Sequence, residues 1–305
     1  MSSTSDGSAA SPADPTDLPA GTVGAAWLLA PALGGVACGG LVAWAWSDGR
    51  PLLALAAAAL AGVVYPGDPF RIAGKPFQPP LGDFALGTDM LGRDLAAGLL
   101  YGARTTLLVG VVATLIATLL GVTIGGLAGY FGGRLDALLM RFTELFQTIP
   151  FFLFAILLVA VLGPSLGHVI FAIAVVSWPP MARLVRGEFM SMRNREFVQA
   201  CVSMGMGHTR IIVLHVLPNT LSPIIVTGSL MVASAILIES GLSFLGLSDP
   251  NTMSWGFIIG SGRSVLRTAW WICAAPGVAI LLTVMAINLV GDGLNDALNP
   301  RLRHA

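Results

Sequence analysis

The sequence predicts an all-α, polytopic helical membrane protein, on three observations. Hydrophobic residues make up 55% of the 305 residues and charged residues 10%, against about 25% charged in an ordinary soluble domain. The apolar residues gather in long runs near 25–46, 51–65, 104–130, 137–162, 165–182, 219–247 and 271–293, and a helix needs about 20 mainly apolar residues to cross the hydrocarbon. The runs lack the short alternating segments that a closed β-barrel would show.

So few charges cannot cover a water-facing surface, which argues against a soluble globular protein and a disordered chain. Sixteen basic and sixteen acidic residues cancel, so no overall field draws the chain to an anionic polymer, and a nucleic-acid partner is not expected. Cys38, Cys201 and Cys273 lie far apart without a CxxC pair, giving neither a disulfide framework nor a zinc site.

Residues 1–24 read as a polar, disordered tail. Residues 25–65 hold one or two membrane segments. Ser47-Asp48-Gly49-Arg50-Pro51 is a turn signal between the two runs. Two crossings give seven helices and a tail outside; one broken or re-entrant piece gives six and a tail inside. The stretch 66–103 reads as an external loop, 104–293 as the transmembrane domain and 294–305 as a cytoplasmic tail. Orientation follows from arginine. The stretch 183–218 carries Arg183, Arg186, Arg193, Arg195 and Arg210 and is placed on the cytoplasmic side by the positive-inside rule.

Several motifs invite chemistry. Gly121, Gly125 and Gly129 form GxxxGxxxG, which strips one helix face so that another backbone can approach, within the chain or across a dimer. Glu144 and Glu239 lie in or beside apolar runs. Glu144 sits near the membrane edge one turn after Arg141, whereas Glu239 is deeper and reads equally as an ion relay or a structural hydrogen bond. Gly163-Pro164-Ser165-Leu166-Gly167 matches GxSxG, but it joins two apolar helices and reads as a Gly-Pro turn rather than a nucleophile elbow with His168. His208 and His215 have no HExxH motif or carboxylate cluster beside them, so no metal is expected. Lys75, the chain's one lysine, precedes Pro76 and cannot complete GxxxxGK[ST].

The arginine-rich stretch is the most informative. Phe197, Ala200, Cys201 and Met204 follow helical spacing, Gly205-Met206-Gly207 stops that helix, and a second short helix is expected from His208 to Leu217, ended by Pro218. Exposed apolar residues rimmed by charge suit a docking knob for a soluble partner.

Here the chain resembles the permease subunits of bacterial ABC importers, whose signature is Glu-Ala-Ala, three residues, Gly, then a hydrophobic-Pro pair. Gln199-Ala200-Cys201 stands at the triplet, Gly205 at the glycine and Leu217-Pro218 at the end, with Glu196 three residues ahead of Gln199. Gly87-Thr88-Asp89-Met90-Leu91-Gly92-Arg93-Asp94 resembles the GTDxxGRD segment of the dipeptide, oligopeptide and nickel branch. Tyr101–Leu107, Trp178-Pro179, Ala182–Gly187, Leu242–Leu247, Ser254-Trp255-Gly256 and Asn288–Leu294 continue the likeness, with Asp296 and Pro300. The resemblance runs over about 50–305 and fits the "C"-type subunit.

It implies a non-catalytic subunit of the bacterial inner membrane, importing di- or oligopeptides. The implied partners are a sister permease, two ATPase subunits that carry the ATP and Mg, an external substrate-binding protein, and the surrounding lipid. This chain itself would bind no cofactor. The implied coupling residues are Glu196, Gln199, Ala200, Cys201, Gly205, His208 and Pro218; the external motif is Gly87, Thr88, Asp89, Gly92, Arg93 and Asp94. An ion-coupled secondary transporter is the alternative, though paired broken helices in inverted halves are not evident.

Overall fold

The computed structural model describes residues 68–298. The readings on 1–24 and 25–65, the choice between six and seven helices, and most of 294–305 lie outside the described residues.

Among the described residues the fold is helical, with two isolated β-bridges, Ile72 to Arg93 and Thr88 to Asp94. The helices are α1 (Leu95–Phe131), α2 (Gly133–Gln147), α3 (Phe151–Leu162), α4 (Leu166–Arg193), α5 (Glu196–Ser203), α6 (His208–Ile211), a π-helical turn (Ile212–Val216), α7 (Leu217–Phe244), α8 (Trp255–Gly262) and α9 (Trp271–Leu298). Four helices in this region are long and apolar enough to cross a membrane, or five if α2 and α3 form one bent span.

α1 begins at Leu95, inside the stretch expected to be loop to residue 103. Asp94 sets that start: its side chain accepts a hydrogen bond from the Ala96 N–H at 3.0 Å, satisfying one of the amides that a helix N-terminus leaves open. The span expected over 137–162 is broken instead. α2 and α3 meet at a 77° bend, because Pro150 has no N–H to continue the ladder and constrains Ile149 ahead of it. The span expected to end at 182 continues to Arg193 as α4, through Pro179 and Pro180. Such prolines are tolerated in membrane helices when neighbouring groups take up the freed backbone.

Pro218 does not end a helix, contrary to the sequence reading. It stands in the first turn of α7, directly after the π-helical turn. That wider turn makes room for the proline ring, which would otherwise press on the carbonyl four residues back. The Asn219 side-chain amide donates to the His215 carbonyl at 2.6 Å. His208–Phe244 is therefore one 37-residue helix.

The α1–α4 seam is packed backbone to backbone. A Cβ on Gly125 would collide with the Ala182 carbonyl, one on Gly129 would stand 2.5 Å from the Arg186 carbonyl oxygen, and one on Gly121 would stand 2.7 Å from the Met181 Cβ. GxxxGxxxG thus serves packing within the chain. Around this seam Val109, Ala113, Ala155, Val159, Ile173, Val176 and Leu242 bury one core, shared by α1, α3, α4 and α7. A second core lies at the arginine-rich end, where Tyr130, Phe189, Val198, Cys201, Ile211 and Val216 meet.

Candidate functional site

Three features carry the site: a groove along the helices, the knob at the arginine-rich end and the GTDxxGRD-like turn at the opposite end of α1.

The groove is a cavity of about 500 Å³ between the α2–α3 bend, α4 and α7. Its apolar walls include Phe146, Pro150, Phe151, Val176, Met231 and Ile238, and its polar lining is Gln147, Ser177, Thr227 and Ser234. None of its lining residues is charged. The break at Pro150 forms one wall of this groove, with Gln147, Ile149, Pro150 and Phe151 lining it. Sequence reading missed these residues, because the lining comes from three separated segments. The available signal was a polar side chain inside each apolar run.

The knob is α5, the Gly205 turn and α6. Val198 is 2% exposed and Cys201 is 7% exposed, both packed toward the bundle. Phe197, Val202 and Met204 stand out, Met204 being 72% exposed. Of the residues that follow helical spacing, Phe197, Ala200 and Met204 are exposed, as a docking surface needs, and Cys201 is buried against the bundle. Glu196, Gln199, Ala200, Gly205, His208 and Pro218 are exposed. Gly205 has φ +75°, the left-handed conformation in which glycine lacks the steric penalty of other residues.

Two bonds hold the knob's surroundings to the bundle. The Tyr130 hydroxyl and His208 Nδ1 are hydrogen-bonded at 3.0 Å, with Phe131 edge-on to the same imidazole. The Arg193 guanidinium donates to the Tyr130 carbonyl at 3.1 Å. Nearby, Arg186 grips Asp136 of α2 through both Nε and Nη2, a bidentate pair with fixed geometry. Beside the knob, Met192, Asn194, Arg195, Glu196, Phe197 and Asn219 line a concavity of about 670 Å³.

The GTDxxGRD-like segment is a folding knot. Thr88 Oγ1 accepts from the Gln78 N–H at 2.9 Å and donates to the Lys75 carbonyl at 2.7 Å. Asp89 Oδ1 accepts from the Leu91 and Arg93 N–H groups, both at 2.8 Å. Gly87 and Gly92 have φ +80° and +76°; a Cβ on either would strike the 74–79 backbone. Arg93 lies over the Phe70 ring at 5.0 Å. Asp94 then starts α1. All six residues converge on one structure, the closure of the 68–94 loop onto the head of α1.

Other candidates resolve locally. Ser165 caps α4, its Oγ accepting from the His168 N–H at 3.3 Å, while His168 Nδ1 is engaged with the Gly163 carbonyl at 3.0 Å. That is the turn, not a nucleophile–base pair. Glu144 is exposed. Glu239 is 3% exposed and its Oε1 accepts from Ser243 at 2.8 Å and Ser254 at 2.7 Å. Among the described residues no cluster of His, Cys, Asp and Glu could hold a metal ion.

A bent span, a mainly apolar groove with a few polar groups and a knob with exposed apolar residues suit a multi-pass transport subunit. The chain belongs to the family of binding-protein-dependent transport system inner membrane components, matched over residues 121–304. It is 44% identical over 223 residues to the di/tripeptide transport system permease protein DppC of Pseudomonas aeruginosa, covering 73% of this chain and 74% of that protein. Identity is 46% over 227 residues to the dipeptide permease DppC of Bacillus subtilis, covering 74% of this chain and 71% of that protein. It is 40% to the oligopeptide permease OppC of Haemophilus influenzae over 218 residues, 71% of this chain and 70% of that protein. In fold the chain resembles the inward-facing MetNI methionine ABC transporter, with a TM-score of 0.57 at 18% identity, over 66% of this chain and 96% of that one. These likenesses do not favour the ion-coupled alternative.

Proposed function

We propose that the chain is a permease subunit of an ATP-driven importer of di- or oligopeptides. The observation that carries this reading is the 40–46% identity to peptide permeases of three bacteria, beside a family match over residues 121–304 that takes in both groove and knob. In this reading a sister permease completes the path, two ATPase subunits bind ATP and Mg and dock at the knob, and an external binding protein delivers peptide to the end bearing the GTDxxGRD-like knot. The chain itself performs no covalent chemistry.

The geometry supports a direct route for the push. α7 continues the helix that begins at His208 in the knob, and it also lines the groove with Thr227, Leu230, Met231, Ser234 and Ile238. Displacing the knob displaces the groove wall. Alternating access then needs two arrangements of similar energy, each favoured by a different nucleotide state of the partners. An uncharged groove with a few hydroxyls and one amide can exchange hydrogen bonds with peptide groups without trapping one side-chain charge.

The test is reconstitution of the chain with its partner subunits in proteoliposomes, measuring ATP-dependent uptake of labelled di- and oligopeptides. Uptake that requires both ATP and loaded binding protein is expected. Uptake driven by an ion gradient without ATP overturns the reading.

A further inference from the structure

We propose that Glu239 is a positioning residue for coupling: it fastens the segment around α8 to α7, so that load on residues 245–270 travels down one rod to the knob. This inference rests on the importer reading above and adds to it a named joint.

A carboxylate buried at 3% exposure within a membrane helix is an expensive choice unless donors meet it. Here they come from two elements. Ser243 belongs to α7 itself, and Ser254 belongs to the turn that starts α8. Ser254 does two things with one hydroxyl. It donates to Glu239 Oε1 at 2.7 Å and accepts the Phe257 N–H at 3.0 Å as the cap of α8. The Glu239 side chain is thereby linked through one hydroxyl to the N-terminus of an eight-residue helix.

The surroundings make this a joint. A Cβ on Gly256 would stand 2.7 Å from the Ser243 Cβ, and one on Gly260 would stand 2.5 Å from the Ser243 carbonyl oxygen. α8 therefore lies backbone-close on the last turns of α7. Beyond its far end, Arg263 donates to the Phe244 carbonyl at 2.6 Å. α8 also holds α1: the Trp255 N–H donates to Thr106 Oγ1 at 3.1 Å, and the Trp255 indole donates to the Leu99 carbonyl at 2.7 Å. The same helix that α8 grips starts in the knob at His208. Glu239 Oε2 has no hydrogen-bond partner in this arrangement, so the carboxylate keeps an oxygen onto which a hydroxyl can move when α8 shifts. An apolar residue at 239 would leave the Ser254 hydroxyl without this acceptor on α7.

The experiment uses the complete assembly in proteoliposomes and reads the ratio of ATP hydrolysis stimulated by peptide-loaded binding protein to basal hydrolysis. Glu239→Ala lowers that ratio by roughly tenfold or more, and Ser254→Ala by about threefold, the scale of one net intramolecular hydrogen bond. Glu239→Gln, which keeps an acceptor oxygen for both hydroxyls, restores the ratio to within about threefold of wild type. Basal hydrolysis stays at the wild-type level in all three. A wild-type ratio in Glu239→Ala overturns the proposal. Should that variant fail to assemble, Ser254→Ala decides: a wild-type ratio, or equal loss of basal and stimulated hydrolysis, overturns it. The wild-type assembly run alongside separates the two readings, because absent stimulation there overturns the importer reading and this inference with it.

Discussion

The α1–α4 seam and the knob both depend on glycine, for opposite reasons. At the seam, Gly121, Gly125 and Gly129 are needed because something is there: the Ala182 and Arg186 carbonyls and the Met181 side chain occupy the space of a Cβ. At the knob, nothing lies within 4 Å of the position a Cβ on Gly205 would take. That glycine is needed for its φ of +75°. The seam glycines are in helical conformation, where the residue costs about 1 kcal/mol relative to alanine, and close packing offsets the cost. The knob glycine contributes no packing and buys a sharp turn. One region is a fixed backbone-to-backbone joint. The other is a protrusion whose shape is set locally and whose outer face is open.

The comparison breaks first at Gly125. Gly125→Val places two methyl groups against a backbone carbonyl on α4, which cannot rotate away as a side chain can. Overpacking costs about 1–3 kcal/mol where side chains can yield, and this site exceeds that range. Gly125→Val should leave little monodisperse protein in detergent, measured by size-exclusion after matched expression. Recovery at the wild-type level would show that the seam is looser than its geometry states.

Gly205→Val is the matched change in the other region. It meets no neighbour, so the bundle should fold and elute as wild type. The left-handed backbone costs roughly 1–2 kcal/mol for a residue with a Cβ, so the turn opens and α5 and α6 lose their relative orientation. Co-purification with the ATPase subunits, and peptide uptake, should fall severalfold at matched expression. If Gly205→Val aggregates as Gly125→Val does, the turn at Gly205 governs the packing of the second core beneath it and the contrast fails.

These two regions were also unequally legible. The seam could be read as GxxxGxxxG because close packing demands small residues at fixed spacing, and the partner helix did not have to be known. The Gly205 stop was legible for the same local reason. Pro150 and Pro218 were not read correctly, since the effect of a proline depends on the turn before it. Pro150 follows a chain already leaving the helix at Thr148, whose hydroxyl donates to the Leu145 carbonyl. Pro218 follows a π-helical turn that lets the helix go on. Arg183 and Arg186 marked the water-facing stretch by charge, yet they lie on α4, because a long helix can carry its last turns beyond the apolar layer. Helical spacing alone did not say which face of α5 turns inward: Val198 and Cys201 pack on the bundle while Phe197 and Met204 stand out. An eight-residue helix offers too few turns for spacing to choose between neighbouring faces. The groove was illegible for a deeper reason, since its walls come from residues up to 92 positions apart, Phe146 and Ile238.

Gln199 sharpens the comparison with the smallest effect. It lies on the exposed face of α5, one residue after buried Val198 and two before buried Cys201, so its side chain contributes nothing to the seam. In the family signature this position is a glutamate, and here it is an amide that keeps hydrogen bonding without charge. Gln199→Ala removes at most one neutral hydrogen bond to a partner, about 0.5–1.5 kcal/mol, and should weaken ATPase association by less than Gly205→Val does. Gln199→Glu adds a charge one turn after Glu196 on the same helix, where like charges cost only a few tenths of a kcal/mol, and the first turns of a helix favour negative charge. It should transport as wild type. The measurement is ATPase co-purification and peptide uptake for both variants beside Gly205→Val. A loss in Gln199→Ala as large as that in Gly205→Val would mean that a single side-chain contact, rather than the shape of the turn, carries the docking.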